Sequence, residues 1–577
     1  MNTLNLCENA LSDYIKQAFT AAFGDAVADF SPRVQPATDP KFGDFQCNDS
    51  MQLAKTLHRP PRAIAETAVK AIPVPEMIEK IEVAGPGFIN LTVSPNWLAG
   101  QVANLAAAPH FGIPDIGQGR TVVIDYSSPN AAKQMHIGHI RSTVIGNALD
   151  RLYRATGFQV MADNHIGDWG TQFGILIEGY RNFLTEEQRG NLTVADLEQA
   201  YVSSYNRAKD DPEWMDTCRR ELVKLQQGDA ENRAIWKKFI DISIEEFNRM
   251  YRRLDVSFDL WRGESYYNNQ LADVVETLKT RGLAEESDGA QIVRLDEEGL
   301  PVCLIQKSDG GFNYATTDIA TVRSRVTEFS PYRIVYVTDE RQQLHFKQFF
   351  TICRKIGLST DPYQLVHVWF GLMRLPEGTF STRQGNVIKL DDLLNEAVRR
   401  AREIIDSGNR EMPESEKAEL AEAIGIGAIK YADLSHDPQT LIVFTWEKAM
   451  ALEGNSGPYL QYAYARICSL LDKYAEQVGT DPLENRLLLD SPAEKSLALK
   501  LTQFPAAVVR AAEAYKPSIL ADYLFTLAQN YSSFYQRSPI LKSEPTVRDS
   551  RICLCAMTAA VLSEGLHLLG IRTPSRI

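Results

Sequence analysis

His136 and His139, separated only by Ile137-Gly138, stand where a strand-like run, Thr121 to Tyr126, gives way to a long amphipathic stretch. The segment Ser128-Pro129-Asn130-Ala131-Ala132-Lys133-Gln134-Met135 joins the two. A helix beginning at such a point presents unpaired N–H groups and the positive end of its dipole, and two imidazole N–H donors beside them suit a polyphosphate. Gly138, with no side chain, lets a flat ring or a phosphate come up to the backbone. The chemistry that these residue types fit is nucleotidyl transfer. A second reading stays open, in which the two histidines do no more than cap the helix.

The elements that must hold this loop can be read on either side of it. Ile137, Ile140, Val144, Ile145, Ala148, Leu149 and Leu152 recur at helical spacing, and Gly157 supplies a stop. Another apolar run, Phe158 to Ala162, leads into Asn164-His165-Ile166-Gly167-Asp168-Trp169-Gly170. Strand, helix and strand, with a polar glycine-bearing loop at each carboxyl end, is the layout in which parallel α/β sheets bind ligands. From about residue 181 to 258 the sequence turns polar, charged and helical, with Trp236, Phe239, Ile240, Phe247, Met250, Tyr251 and Leu254 in register, and reads as an insertion. Sheet pattern then resumes: Gln291–Leu295 and Val302–Gln306 suggest a hairpin, and Arg333–Val337 a strand followed by a helix that stops at Gly357. A further strand, Leu365–Leu372, precedes Ser381-Thr382-Arg383-Gln384-Gly385-Asn386.

The expected architecture is α/β. A Rossmann-type catalytic domain occupies residues 111–450 with its helical insertion at about 181–258, an N-terminal α/β domain occupies 1–110, and an all-α bundle occupies 451–577. A chain of 577 residues is too long for one core, so several domains are expected on size alone. In the bundle, Leu520, Tyr523, Leu524, Leu527, Tyr531, Phe534 and Tyr535 form an aromatic stripe at helical spacing. A core face is the ordinary meaning of such a stripe, with base stacking by one or two tyrosines as the alternative.

Composition excludes some classes. The net charge of −13, from 61 Lys+Arg against 74 Asp+Glu, is not the footprint of a general nucleic-acid binder. Basic residues are nevertheless locally dense, in Arg323, Arg325, Arg333, Arg341, Lys347, Arg354 and Lys355 and again in Arg383, Lys389, Arg399, Arg400 and Arg402. Such a track can hold a phosphate backbone, though solvated helix faces give the same pattern. No apolar segment reads as membrane-spanning and Met1 to Lys16 lacks the apolar centre of a cleaved signal, so a cytoplasmic location and no membrane partner are expected. Eight cysteines without a Cys-x-x-Cys pair suggest reduced thiols and no structural metal.

Taken with Ser128-Pro129-Asn130, Asn164-His165-Ile166-Gly167-Asp168-Trp169-Gly170, Phe312-Asn313-Tyr314-Ala315-Thr316-Thr317-Asp318-Ile319-Ala320 and Gly454-Asn455-Ser456-Gly457-Pro458-Tyr459, the chain resembles the bacterial-type arginyl-tRNA synthetases of class I over almost its whole length. The resemblance supplies the amino acid, which spacing alone does not. It implies ATP-dependent ligation of L-arginine to tRNA(Arg) through an arginyl-adenylate, with AMP and pyrophosphate released. It further implies ATP with Mg2+ as substrate and its metal, tRNA, L-arginine and ATP as partners, a monomer, and an adenylate-forming step that needs tRNA in place. The N-terminal domain would meet the tRNA elbow and the bundle the anticodon. The chain ends at Ile577, where the family usually ends in methionine.

By the same resemblance, Lys133, His136 and His139 would be catalytic, and ATP would be held by Lys133, His136, Gly138, His139 and Arg383. Many class I enzymes carry a lysine-rich KMSKS loop. Phe380-Ser381-Thr382-Arg383-Gln384-Gly385-Asn386 lacks its second lysine, and Lys133 would supply the missing charge as a compact ammonium. Arginine would be held by Asp125, Asn130, His136, Tyr314, Asp318 and Gln342. The residue types fit that substrate: a carboxylate meets a guanidinium with two parallel hydrogen bonds and an aromatic ring covers it, and Tyr314 and Asp318 lie four apart, on one helix face. Rejecting a wrong amino acid by leaving those groups unpaired makes an editing domain unnecessary. The alternatives are a class I synthetase for another amino acid, a small-molecule adenylyltransferase, and a tRNA-binding paralogue that has lost catalysis.

Overall fold

Five parallel strands form the centre of the molecule in the order Gln364–Phe370, Arg333–Asp339, Thr121–Asp125, Gln159–Asn164, Leu260–Trp261. The structure, a computed structural model, describes residues 7–37, 39–359, 364–376, 388–408, 412–479 and 481–577. The first strand in the chain lies in the middle of the sheet, and the connections run outward from it in both directions. Strand order therefore reverses between Thr121–Asp125 and Arg333–Asp339, the point at which an open parallel sheet leaves a crevice at its carboxyl ends. Val122, Val123, Ile124, Ile334, Val335 and Val337 are fully buried, as a sheet covered on both faces requires.

The helix Ile137–Ala155 returns the chain from the first strand to the second. Ile140, Val144, Ile145, Ala148, Leu149 and Leu152 are all at most 1% exposed, and each of the larger branched side chains contributes roughly 1.5–3 kcal/mol of burial. Gly157, at φ +86°, ends the turn as expected. The helices Val194–Asp210, Pro212–Gln227 and Ala230–Leu254 fill the inserted region between the second and third strands. A three-stranded antiparallel meander, Ala284–Ser287, Ala290–Leu295 and Leu300–Gln306, contains the expected hairpin and adds a strand that the sequence did not announce.

At the N-terminal end the strand region expected up to Val93 is a hairpin, Ile78–Ala84 with Phe88–Val93, inside a four-stranded antiparallel sheet backed by helices. Gly87 turns it at φ +134°, where a Cβ would meet the Pro61 carbonyl at 2.7 Å. Beyond Leu390 the chain is almost wholly helical, apart from the short strand Ile442–Val443, which pairs with Met373–Arg374. The aromatic stripe is core: Tyr523, Tyr531 and Phe534 are buried and Tyr535 partly so. Contrary to the sequence reading, one helix among the described residues, Pro545–Leu568, is long and apolar enough to cross a membrane; 72% of its most apolar window is buried within the fold, where it serves as a bundle helix.

Candidate active site

The loops leaving the two strands at the reversal point carry the first motif and the Glu340–Gln342 turn. Between Asp125 and the motif helix the backbone takes left-handed conformations at Ser127, Ser128 and Ala132, with φ of 70°, 45° and 60°. Each costs a side-chain-bearing residue about 1–2 kcal/mol, so the fold must hold them. It does so with specific partners: Ser127 N–H donates to Ser142 Oγ at 2.9 Å, Ser128 N–H to Asn164 Oδ1 at 3.1 Å, and Ala132 N–H to Ser243 Oγ at 2.8 Å. The loop is also laced to the second motif, since Ala131 N–H donates to Gly167 O and Gly167 N–H to Pro129 O. A Cβ on Gly167 would lie 2.1 Å from Asn130 Oδ1, so only glycine leaves Asn130 in place.

The two histidines both cap the helix and remain free to act. His136 is the extended N-cap residue; its Nδ1 accepts from Gly138 N–H at 3.0 Å, while His136 N–H donates to His139 Nδ1 at 3.0 Å. With both Nδ1 lone pairs used as acceptors, each neutral ring carries its proton on Nε2, leaving that N–H as a donor. The rings lie 3.9 Å apart. Burial, with Lys133 and Arg341 nearby, pushes the His136 imidazole down; burial and then His136 push His139 down to about 3. Gly138 serves its neighbour as well as any ligand: a Cβ there would meet the His136 ring at 2.8 Å.

Lys133 and Asn130 line a cleft of about 530 Å³ together with Tyr314, Glu264, Trp169 and Tyr201. Tyr314, at 70% exposed, opens the helix Tyr314–Phe329, and Asp318 follows one turn later. Asp318 is held by His345, whose Nε2 lies 2.5 Å from Oδ2. Burial depresses His345, but the Asp318 carboxylate outweighs it and the net shift is upward. Glu264 is a wall residue that sequence reasoning missed. Burial, together with Asp318 and Asp168 and against His165, pushes its carboxyl up to about 7. The second motif builds that wall: Asp168 accepts from Ser265 N–H at 2.8 Å and Oγ at 2.6 Å, and Glu264 N–H donates to Ile166 O. No local sequence pattern marks Glu264; the fold fixes its turn, where a Cβ on the neighbouring Gly263 would strike the Asp168 carboxylate at 2.4 Å.

Other expectations fare differently. Asp125, expected to hold arginine, is instead taken up by the fold: it is 5% exposed, accepts from Ser128 Oγ at 2.9 Å, and lies 2.6 Å from the guanidinium of Arg325. Arg325, fully buried on the Tyr314 helix, also holds Asp163 at 2.8 Å, so it clamps the carboxyl ends of the first two strands. Gln342 lies exposed at the start of the helix Gln343–Lys355, beside Arg341. Arg383 lies outside the described residues. The chain that follows returns to the motif, Ile137 N–H donating to Ile388 O and Leu390 N–H to Met135 O, which sets Lys389 beside His136.

The basic track is largely consumed within the fold. Arg323 pairs with Asp273, Arg341 with Asp339, Lys355 with Glu298, Arg400 with Glu396, and Arg402 with Asp406 and Glu414, because acidic residues lie one helical turn away or on the facing element. A larger cavity, about 690 Å³, is lined by Glu416, Glu419, His567 and the final residues to Arg576; it contains none of the motif residues. Among the described residues no group of three or more His, Cys, Asp or Glu side chains is placed to hold a metal.

Three family profiles match the chain: "Arginyl tRNA synthetase N terminal domain" over residues 9–93, "tRNA synthetases class I (R), catalytic domain" over 102–446, and "DALR anticodon binding domain" over 460–577. The arginine–tRNA ligase of Fusobacterium nucleatum is 46% identical over 538 residues, 93% of each chain. Among solved structures, the arginyl-tRNA synthetase of Plasmodium falciparum superposes with a TM-score of 0.85 at 25% identity, covering 99% of both chains. That of Thermus thermophilus gives 0.82 at 25% identity, covering 99% of this chain and 100% of the other.

Proposed function

Since the chain belongs to the class I arginyl-tRNA synthetases, we propose that ATP is seated at His136 and His139 with Lys133 in the cleft, and that arginine lies in the cleft against Glu264 with Asp318 as its second carboxylate. Its reaction is the ATP-dependent ligation of arginine to tRNA. The arginine carboxylate attacks the α-phosphorus of ATP, pyrophosphate leaves, and a ribose hydroxyl at the tRNA 3′ end then attacks the adenylate carbonyl and expels AMP. Charge spreads over phosphate oxygens in the first step, so the protein's task is to position the reactants and present donors.

In this reading the Nε2–H groups of His136 and His139 and the helix N-terminus at Gly138 meet the phosphates, and the Lys133 ammonium takes the outer ones. Arg383 stays in the ATP-binding proposal, and magnesium comes with the nucleotide. Asn130, fixed against Gly167, holds the amino-acid end of the substrate. Tyr314 covers the guanidinium, Asp318 and Glu264 receive it, and Gln342 adds a polar contact. Residues 1–110 are assigned to the tRNA elbow and 451–577 to the anticodon, and the enzyme acts as a cytoplasmic monomer.

One observation carries this reading: a single cleft joins Lys133 and Asn130 to Tyr314 and Glu264. Charging total tRNA with each amino acid in turn tests it. Arginine alone should be attached, and arginine-dependent pyrophosphate exchange should be weak until tRNA is added. Robust charging with another amino acid would overturn the assignment of the wall, and robust exchange without tRNA would remove the tRNA requirement.

A further inference from the structure

We propose that Tyr201 and Tyr205 form the platform on which an unpaired base at the tRNA 3′ end stacks while its ribose hydroxyl reaches the cleft. The inference rests on the reaction proposed above, in which that hydroxyl must come to the adenylate and an unpaired strand must therefore enter.

Both tyrosines stand on the inserted helix Val194–Asp210, four residues apart, and both line the cleft that holds Lys133, Asn130 and Tyr314. Their rings are nearly parallel, 10° between planes with centroids 5.8 Å apart. Tyr201 is seated on a small apolar cluster of Ile175, Ala208, Trp214 and Cys218, which fixes it, while Tyr205 stays 40% exposed. Tyr201 is thus anchored in the apolar cluster while the Tyr205 ring extends the same flat surface out to solvent at the cleft. A cation sits at each ring: the Lys133 ammonium 5.5 Å from the Tyr201 centroid and the Lys209 ammonium 4.9 Å from that of Tyr205.

Flat rings for a base beside cations for its phosphates are the two parts of a single-strand binding surface. A guanidinium would find the reverse here, since Lys133 repels it and the carboxylates that attract it lie toward Glu264 and Asp318. The platform and the acidic wall thus divide one cleft between two ligands of opposite charge.

Equilibrium binding of intact tRNA(Arg) and of the same tRNA lacking its 3′-terminal nucleotide, to the full enzyme and to a Tyr201→Ala/Tyr205→Ala double variant, tests this. The unaltered enzyme should prefer the intact tRNA by about tenfold, the size of one stacked base. The double variant should lose that preference while its KM for arginine at saturating tRNA stays within about twofold, and a Tyr201→Phe/Tyr205→Phe variant should keep the preference. Retention of the preference by the alanine variant, its absence in the unaltered enzyme, loss in the phenylalanine variant, or a change confined to arginine KM would each overturn the platform. Failure of the underlying reading looks different: the unaltered enzyme would then not charge tRNA with arginine at all.

Discussion

Neither His136 nor His139 has to carry charge to serve a triphosphate. Both are held neutral by burial and neighbouring groups, and their fixed tautomers turn them into donors. Full charge is left to Lys133, whose ammonium remains exposed. The proposed substrate slot is acidic instead, with Asp318 met by His345 and the Glu264 carboxyl pushed up to about 7 chiefly by burial. Asp318→Asn should therefore raise the KM for arginine by about ten- to a hundredfold, the loss of a charge-assisted hydrogen bond, and leave the KM for ATP within about twofold, as steady-state charging assays would read. Glu264 gives a pH signature. Its folded pKa of about 7 lies above its unfolded value, so the ionised form that binds arginine is lost as pH falls through 7. Arginine KM should rise from pH 8 to pH 6 in the unaltered enzyme and stay flat, though higher, in Glu264→Gln. By the same sign, ionising Glu264 in the fold costs stability above pH 7, so Glu264→Gln should melt at a higher temperature at pH 8, with a gain of about 1–2 kcal/mol that fades toward pH 4. The motif histidines and Tyr314–Asp318 could be proposed from the sequence because the members of each pair lie close together in it. Glu264 could not, because the turn that carries it is held by Asp168, which accepts from Ser265 across 97 positions and meets it only through the fold.

At the scale of elements, Arg325 does what no local pattern could announce. It lies seven residues beyond Asp318 on the same helix and ties that helix to Asp125 and Asp163 at the ends of two strands. The element that presents the arginine slot is thereby fixed to the strand that feeds the phosphate loop. Removing one partner leaves buried charges uncompensated, so Arg325→Met should lower stability by about 3–5 kcal/mol in denaturant titration. Long periodic elements such as Ile137–Ala155 and Arg333–Asp339 were readable from their apolar repeat. Val34–Pro36, Phe45–Cys47 and Leu260–Trp261 are too short to show one, and exist as strands because their neighbours pair with them. Asp125 was misassigned for a related reason: its partner Arg325 lies 200 positions away.

Across the whole molecule, the far end of the motif helix is fastened to the bundle. Arg151 donates to Asp255 and to the His567 carbonyl, and the buried Lys430 ammonium donates to the Leu254 carbonyl at 2.5 Å and the Gly570 carbonyl at 2.6 Å. Nearer the motif, Arg141 is buried against Asp433 and the carbonyls of Gly371 and Pro438. The helix that begins at the histidines therefore cannot shift without moving the helical C-terminal region. Lys430→Met leaves two buried carbonyls unpaired and should cost about 1–3 kcal/mol, with faster hydrogen exchange at Gly570–Ile571 than in the N-terminal sheet. Burial pushes Lys430 down to about 7, below its unfolded value, so its contribution grows as pH rises and the deficit of the variant should widen from pH 7 to pH 9. The division into an α/β centre and a helical end was legible in the sequence, but these clasps were not, because each joins residues more than a hundred positions apart.

The most direct test of the account is a crystal structure of the enzyme with L-arginine and a non-hydrolysable ATP analogue. The guanidinium should lie between Tyr314, Asp318 and Glu264, and the phosphates within hydrogen-bond distance of Nε2 of His136 and His139 and of the Lys133 ammonium. A guanidinium seated away from Asp318 and Glu264, or phosphates that meet neither histidine, would contradict it.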